Sequence, residues 1–136
     1  MENVNFTSLL DKIKLQATTL GFQALGISDC DLSEAEGHLT HWINKNFHAD
    51  MHYMVKHGTK RTRPAELIPG TLRIISVRLD YLPQGAECIE ALRDKNRAYI
   101  SRYALGRDYH KVLKKKLKAL AAFIQNEIGP FGYRAF

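Results

Sequence analysis

Only two cysteines, Cys30 and Cys88, occur in 136 residues, and they form no Cys-x-x-Cys pair. This excludes a disulfide miniprotein and suits a reduced, cytoplasmic chain. The longest apolar runs are a handful of residues, far short of the roughly 20 that span a bilayer, so a helical membrane protein is excluded too. The opening Met-Glu-Asn-Val-Asn lacks a basic stretch followed by an apolar core, and no secretory signal is expected. No Gly-x-Ser-x-Gly elbow, Walker loop or dinucleotide fingerprint is present. Neither a repeat, a low-complexity tract nor a linker divides the sequence, so one domain over residues 1–136 is expected. What is present is ordinary: 45% hydrophobic and 25% charged residues exclude a disordered chain. A chain of this length buries roughly two thirds of its unfolded surface and needs no covalent staple.

Charge is distributed unevenly. The formal net charge is +6, but residues 1–50 carry three Lys against seven acids (−4), while residues 51–136 carry 17 Lys/Arg against seven acids (+10). A basic half of this kind fits either an anionic partner, nucleic acid foremost, or a solvated lysine-rich helix face.

Hydrophobic spacing predicts an amphipathic helix over residues 5–20, with Phe6, Leu9, Leu10, Ile13, Ala17 and Leu20 on one face and Gly21 ending it. Residues 22–28 read as a short strand followed by an acidic turn at 29–31. A second helix is predicted from Ser33, with Glu36 in capping-box position and Leu39, Trp42, Ile43 and Phe47 packed. Residues 48–70 are irregular, with Pro64 suited to the first turn of a short helix and Pro69-Gly70 to a turn. Residues 71–81, rich in β-branched side chains, form the best strand candidate. A polar, mobile loop with a short helical piece is expected over 83–97, and a strand over 99–105. A long helix follows over 108–128, burying Tyr109, Val112, Leu113, Leu117, Leu120, Ala121 and Ile124 and exposing Lys111, Lys114, Lys115 and Lys118. Gly129-Pro130 stops it, and 131–136 begin another apolar strand that reads as cut rather than finished. The expected class is α+β, a mixed sheet flanked by helices.

Several groups could carry chemistry. His48, His52 and His57 lie close in sequence, but Asp50 alone accompanies them, so surface or capping histidines are expected rather than a metal site. Cys30 and Cys88 read as idle or buried thiols. Lys60-Arg61-Thr62-Arg63-Pro64 places three cations in four positions, either as a phosphate or carboxylate contact or as an exposed basic loop. The run from Ser101 to His110 combines a strand end, a glycine turn and a helix start, where Asp108 can cap and backbone N–H groups favour an anion. Arg102, Tyr103, Arg107, Tyr109 and His110 add donors and flat rings, the mixture a ligand pocket needs. Against that, Tyr109 fits the helix core stripe, and Arg102 fits an outward strand position.

The blocks Lys60–Gly70 (KRTRPAELIPG), Ser76–Pro83 (SVRLDYLP) and Ser101–His110 (SRYALGRDYH), with Leu20-Gly21-Phe22 and Gly26-Ile27-Ser28-Asp29, resemble the N-terminal region of the epoxyqueuosine reductases. The resemblance runs over essentially the whole chain. It implies a cobalamin-dependent iron–sulfur enzyme acting on tRNA, which removes the epoxide oxygen from a modified base at the anticodon wobble position to complete queuosine. It implies an N-terminal cobalamin-binding type of domain, with Arg61 and Ser101 as first choices for cofactor contacts and Arg102, Tyr103, Asp108, Tyr109 and His110 lining the same pocket. The lysine face (Lys111, Lys114, Lys115, Lys118) then suits the tRNA backbone. The family's ferredoxin-like cysteine run is missing here, so [4Fe–4S] clusters belong to the parent enzyme alone. The family's proton-donating aspartate is expected beyond Phe136. The chain thus reads as the N-terminal part of a longer enzyme, with no metal ligands or catalytic residue of its own, binding cobalamin weakly and inactive alone. The alternatives are a non-catalytic basic RNA-binding module, or a domain that self-associates through an unfinished edge strand near Phe136.

Overall fold

Asn5 starts the first helix. Its Oδ1 accepts the Ser8 N–H at 3.1 Å, and α1 runs Phe6–Thr19, an orphan donor of the first turn being satisfied by the cap. The computed structural model describes residues 5–82 and 88–136. At the other end of α1, Gly21 takes a φ of +85°. Its N–H donates to the Thr18 carbonyl at 2.8 Å, and the Phe22 N–H reaches back to Ala17 at 3.0 Å. This paired closure needs a left-handed residue, which glycine supplies without a Cβ penalty.

The described residues fall into two compact units, one made of those up to Leu25 with those from Val77 on, the other of Gly26–Ser76. In the first, α1 packs against α6 (Tyr109–Ile128). Ile13 and Ala17 of α1, Phe22, and Leu120, Ala121 and Ile124 of α6 are its buried apolar side chains. Lys12 Nζ reaches Glu127 Oε2 at 2.6 Å beside them. A short helix α5, Cys88–Arg93, and a 3₁₀ turn, Arg102–Ala104, belong to the same unit.

The second unit holds α2 (Ser33–Asn44), α3 (Tyr53–Lys56) and α4 (Pro64–Leu67), with a 3₁₀ turn over Gly58–Arg61. Asp29 and Asp31 lead into α2 by accepting the N–H of Asp31 and Ser33 respectively, each at 3.1 Å, the local turn habit of aspartate. The two strands, β1 (Ala24–Ser28) and β2 (Ile74–Arg78), pair with each other. The Gln23 N–H donates to the Arg78 carbonyl (2.9 Å) beyond one end, and the Cys30 thiol meets the Thr71 carbonyl (3.5 Å) beyond the other. The pairing is therefore antiparallel.

The α+β class stands, but the expected mixed sheet reduces to these two strands among the described residues. Residues 99–105 are not a strand: Ala104 N–H bonds to Ser101 at 2.9 Å and Leu105 N–H to Arg102 at 3.2 Å, so local bonds turn the chain. Residues 131–136 also carry no strand. The Phe131 carbonyl is taken by the Gln125 side chain at 2.9 Å, and the edge expected to mediate self-association is not formed. The capping box at Ser33 is absent too. Leu32, which has no polar side-chain atom, takes the N-cap position in place of Ser33, and the Glu36 carboxylate is engaged by Arg63 and Thr62. Phe47, expected to pack, is 64% exposed. Of the loop expected over 83–97, the short helical piece is α5, while residues 83–87 lie outside the described residues.

Candidate ligand site at the head of the long helix

Local sequence builds the entrance to α6. The 3₁₀ turn Arg102–Ala104 bends the chain, Gly106 reverses it at a φ of +85°, and Asp108 caps the helix by accepting the His110 N–H at 3.0 Å. The same carboxylate oxygen lies 3.1 Å from His110 Nδ1. Hydrogen bonds from the His110 side chain and backbone, with smaller help from nearby Lys111, hold the Asp108 carboxyl below the usual carboxylate range.

Arg102, at the start of this turn, is half-buried. Its Nε donates to Cys88 Sγ at 3.1 Å, and its guanidinium carbon lies 4.9 Å from the centre of the Tyr99 ring. The Cys88 contact is the main reason the guanidinium is held more strongly protonated than usual. Its Nη2 is buried and has no hydrogen-bond partner among the described residues. Such groups are few in native proteins, and each calls for an explanation in strain, in function or in a bound water, ion or ligand.

From the residue after Arg102 a chain of rings extends to either side. Tyr81 meets Tyr103 edge-on at 6.4 Å, Tyr103 meets Tyr109 edge-on at 5.7 Å, and Tyr109 stacks on His110 at 3.9 Å. Tyr109 is 40% exposed rather than part of the buried stripe, and Tyr103 and Tyr81 are 52% and 64% exposed. The stripe itself begins farther along the helix, with Val112, Leu113 and Leu117 half-buried. Arg107 and the four lysines Lys111, Lys114, Lys115 and Lys118 are exposed. Lys116 is different: it turns inward, with Nζ 5.8 Å from the Phe22 ring.

Of the expected site residues, Ser101, Arg102, Tyr103, Asp108, Tyr109 and His110 all belong to this first unit, whereas Arg61 belongs to the second. Arg61 is exposed, its Nη2 donating to the Tyr53 carbonyl at 2.6 Å and its guanidinium lying 5.7 Å from the Tyr53 ring centre. Arg63, in the same basic run, satisfies itself within the unit. It makes two bonds to Glu36 (Nη2–Oε1 2.8 Å, Nε–Oε2 3.0 Å) and one to Glu66 (3.2 Å). Thr62, buried, gives a further 2.6 Å bond to Glu36. With Arg63 foremost and Thr62 next, these bonds pull the Glu36 carboxyl down to about 2. A cleft of about 280 Å³ opens beside them, lined by Cys30, Ser33, Glu36, Thr62, Arg63 and Ala65 among others.

The histidine group departs from a simple surface reading. His48 is only 8% exposed, packed near Trp42 and His52, and its Nδ1 has no partner among the described residues. No group of three potential metal ligands forms among the described residues. Sequence reasoning passes over Tyr81, which it places inside a strand, and gives Tyr99 no role. Neither sits in a pattern that periodicity could flag, because their neighbours come from the turn at Arg102 and the head of α6.

The profile of the family described as "Epoxyqueuosine reductase QueG, DUF1730" matches residues 61–136. The chain belongs to the epoxyqueuosine reductase family. An epoxyqueuosine reductase of Pseudomonas aeruginosa is 55% identical over 94% of the chain, and those of Vibrio cholerae and Escherichia coli are 50% and 47% identical over 98% and 99%. The chain spans 36% of the length of each of these curated relatives. No solved structure matches it. The stretch matched to the epoxyqueuosine reductase family includes Arg61, all of α6 and the ring chain that runs from Tyr81 to His110. No described helix is long and apolar enough to cross a membrane.

Proposed function

We propose that the chain is the N-terminal, cobalamin-binding part of an epoxyqueuosine reductase, acting on epoxyqueuosine in tRNA. Residues 1–136 serve as one domain of that cytoplasmic enzyme. The observation that carries this reading is Arg102, a half-buried cation whose Nη2 has no acceptor among the described residues, next in sequence to an open set of flat rings. Cobalamin is a match in kind: its broad, flat macrocycle carries amide carbonyls at the rim and a phosphate in its nucleotide tail. When bound, cobalamin supplies a redox-active cobalt centre for the reduction of the substrate carbon. The chain's own part is to bind and orient. Arg102 offers its Nη2 donor, Ser101 a hydroxyl, and Tyr103, Tyr109 and His110 their ring surfaces, while Asp108 fixes His110. Arg61 is a further cofactor contact in this reading on the strength of its motif, Lys60-Arg61-Thr62-Arg63-Pro64.

The lysines of α6 serve as contacts for the tRNA backbone around the anticodon. Clusters of the [4Fe–4S] type need several cysteine thiolates each, and the two cysteines here cannot supply them. Cluster binding is therefore assigned to the remaining length of the relatives, and without it the chain alone does not turn over substrate. Titration of the chain with hydroxocobalamin tests this reading. It predicts a saturable change in the visible spectrum, diminished in Arg61→Ala and Ser101→Ala. A second reading, a non-catalytic RNA-binding module, is favoured by the exposed lysine face, and salt-dependent tRNA binding without any corrinoid effect would select it.

A further inference from the structure

We propose that Tyr81 is a stacking residue for an unpaired base of the RNA substrate, displayed beside the corrinoid site. This rests on the reading above, and it assigns a role to a side chain outside the cofactor set. Tyr81 lies three residues beyond the end of β2, and its ring is mostly exposed. Its backbone is not loose. The Asp80 N–H donates to Gln23 Oε1 at 2.7 Å, the Gln23 N–H donates to Arg78 at 2.9 Å, and Arg78 Nε holds Asp80 Oδ1 at 3.1 Å. The residues just before Tyr81 are thereby tied to Gln23, and the Tyr81 ring meets the edge of Tyr103 at 6.4 Å. An exposed ring fixed in this way pays little ordering entropy when a flat partner settles on it.

The charge around it selects the partner. From Val77 to Phe136 the sequence carries twelve Lys/Arg against six acids; Arg107 lies between Tyr103 and Tyr109 in sequence and Lys111 follows His110, both exposed. Flat rings interleaved with cations are the recognition chemistry of single-stranded nucleic acid, in which bases stack and phosphates pair. A duplex offers the same phosphates but hides the base faces. Stacking through Tyr81 thus carries a preference that the lysine face by itself does not.

The test compares a short, unstructured, labelled single-stranded RNA with the corresponding duplex, using fluorescence anisotropy at fixed low salt on the 136-residue chain. The expected result is tighter binding of the single strand, a loss of roughly tenfold for it in Tyr81→Ala, no change for the duplex, and retention in Tyr81→Phe. Equal binding of the single strand by wild type and Tyr81→Ala overturns the proposal. So does an equal loss on both RNAs, a Tyr81-dependent dimer in place of RNA binding, or no RNA binding at all. Hydroxocobalamin titration of the same variants separates the two claims. A spectral change that is indifferent to Tyr81→Ala, alongside the weaker single-strand binding, supports both. Weaker single-strand binding without any spectral change upholds Tyr81 and overturns the corrinoid reading.

Discussion

Arg63 grips Glu36 through two parallel bonds, Nη2–Oε1 at 2.8 Å and Nε–Oε2 at 3.0 Å, joining α4's leading edge to the first turns of α2. The basic run that on charge alone suggests a phosphate contact has one of its arginines committed to the fold. Two-point pairing of a guanidinium with a carboxylate is geometrically demanding, and lysine cannot reproduce it.

This pair makes stability depend on acid. The Glu36 carboxyl is lowered from an ordinary 4.5 to about 2, so the unfolded state takes up a proton first. Its stabilisation is complete above about pH 4.5 and is lost as the pH falls through the folded value. Thermal unfolding followed from pH 7 to pH 2 should show Tm falling across that window. Glu36→Gln should lower Tm at neutral pH and flatten the acid limb. An unchanged acid limb in the variant would show that the pair contributes nothing.

Asp108 has a comparable duty at α6. Replacing it with Ala removes the acceptor for His110 N–H and should lower Tm, while Asn, itself a good cap, should restore most of the stability. The carboxyl is held below its usual range by His110, so its contribution is present above the unfolded value and fades as pH falls through the folded one. Circular dichroism melts of the three proteins at pH 7 check the order wild type, Asn, Ala.

The α1–α6 packing should dominate the stability of its unit. Leu120 is 3% exposed and Ile124 6%. Leu120→Ala should cost roughly 2–5 kcal/mol, and Ile124→Val roughly 0.5–1.5 kcal/mol, from forfeited transfer energy and the cavity left behind. Urea denaturation reads both as a lower midpoint with an unchanged slope.

Binding of single-stranded RNA should weaken with salt. Replacing Lys114 and Lys115 with Ala should reduce the slope of log K against log salt by roughly 0.7 per phosphate that each lysine neutralises, and weaken all sequences alike. Anisotropy titrations at several salt concentrations measure the slope. A slope identical to wild type would remove these lysines from the interface.

Helices are readable from the sequence where their signals are local. The 3.6-residue spacing and Gly21 mark α1, and Asp108 and Gly129 mark α6. Strands are readable only in part, since a strand is made by its neighbour: the expected strands over 22–28 and 71–81 hold β1 and β2. Residues 99–105 and 131–136 have strand-like composition, but local bonds at Ser101 and the Gln125 side chain take their backbone groups. Around the candidate site, the 101–110 turn stands out in sequence because its residue types are adjacent. The Arg102 nitrogen without a partner among the described residues does not, because its setting depends on Cys88 fourteen positions away. Nor does the meeting of Tyr81 with Tyr103, twenty-two positions apart. Glu36 reads as a cap from its spacing to Ser33, whereas its actual partners, Thr62 and Arg63, lie far along the chain.

The most direct test of the corrinoid site is the affinity of hydroxocobalamin for the wild-type chain and for Arg102→Gln, read from the visible spectrum at equal folding by circular dichroism. If Arg102 Nη2 completes its hydrogen bonding on the cofactor, the wild type should show a saturable change, and the variant should bind roughly tenfold or more weakly. Equal affinity in the two proteins, or no spectral change in the wild type, would contradict the account.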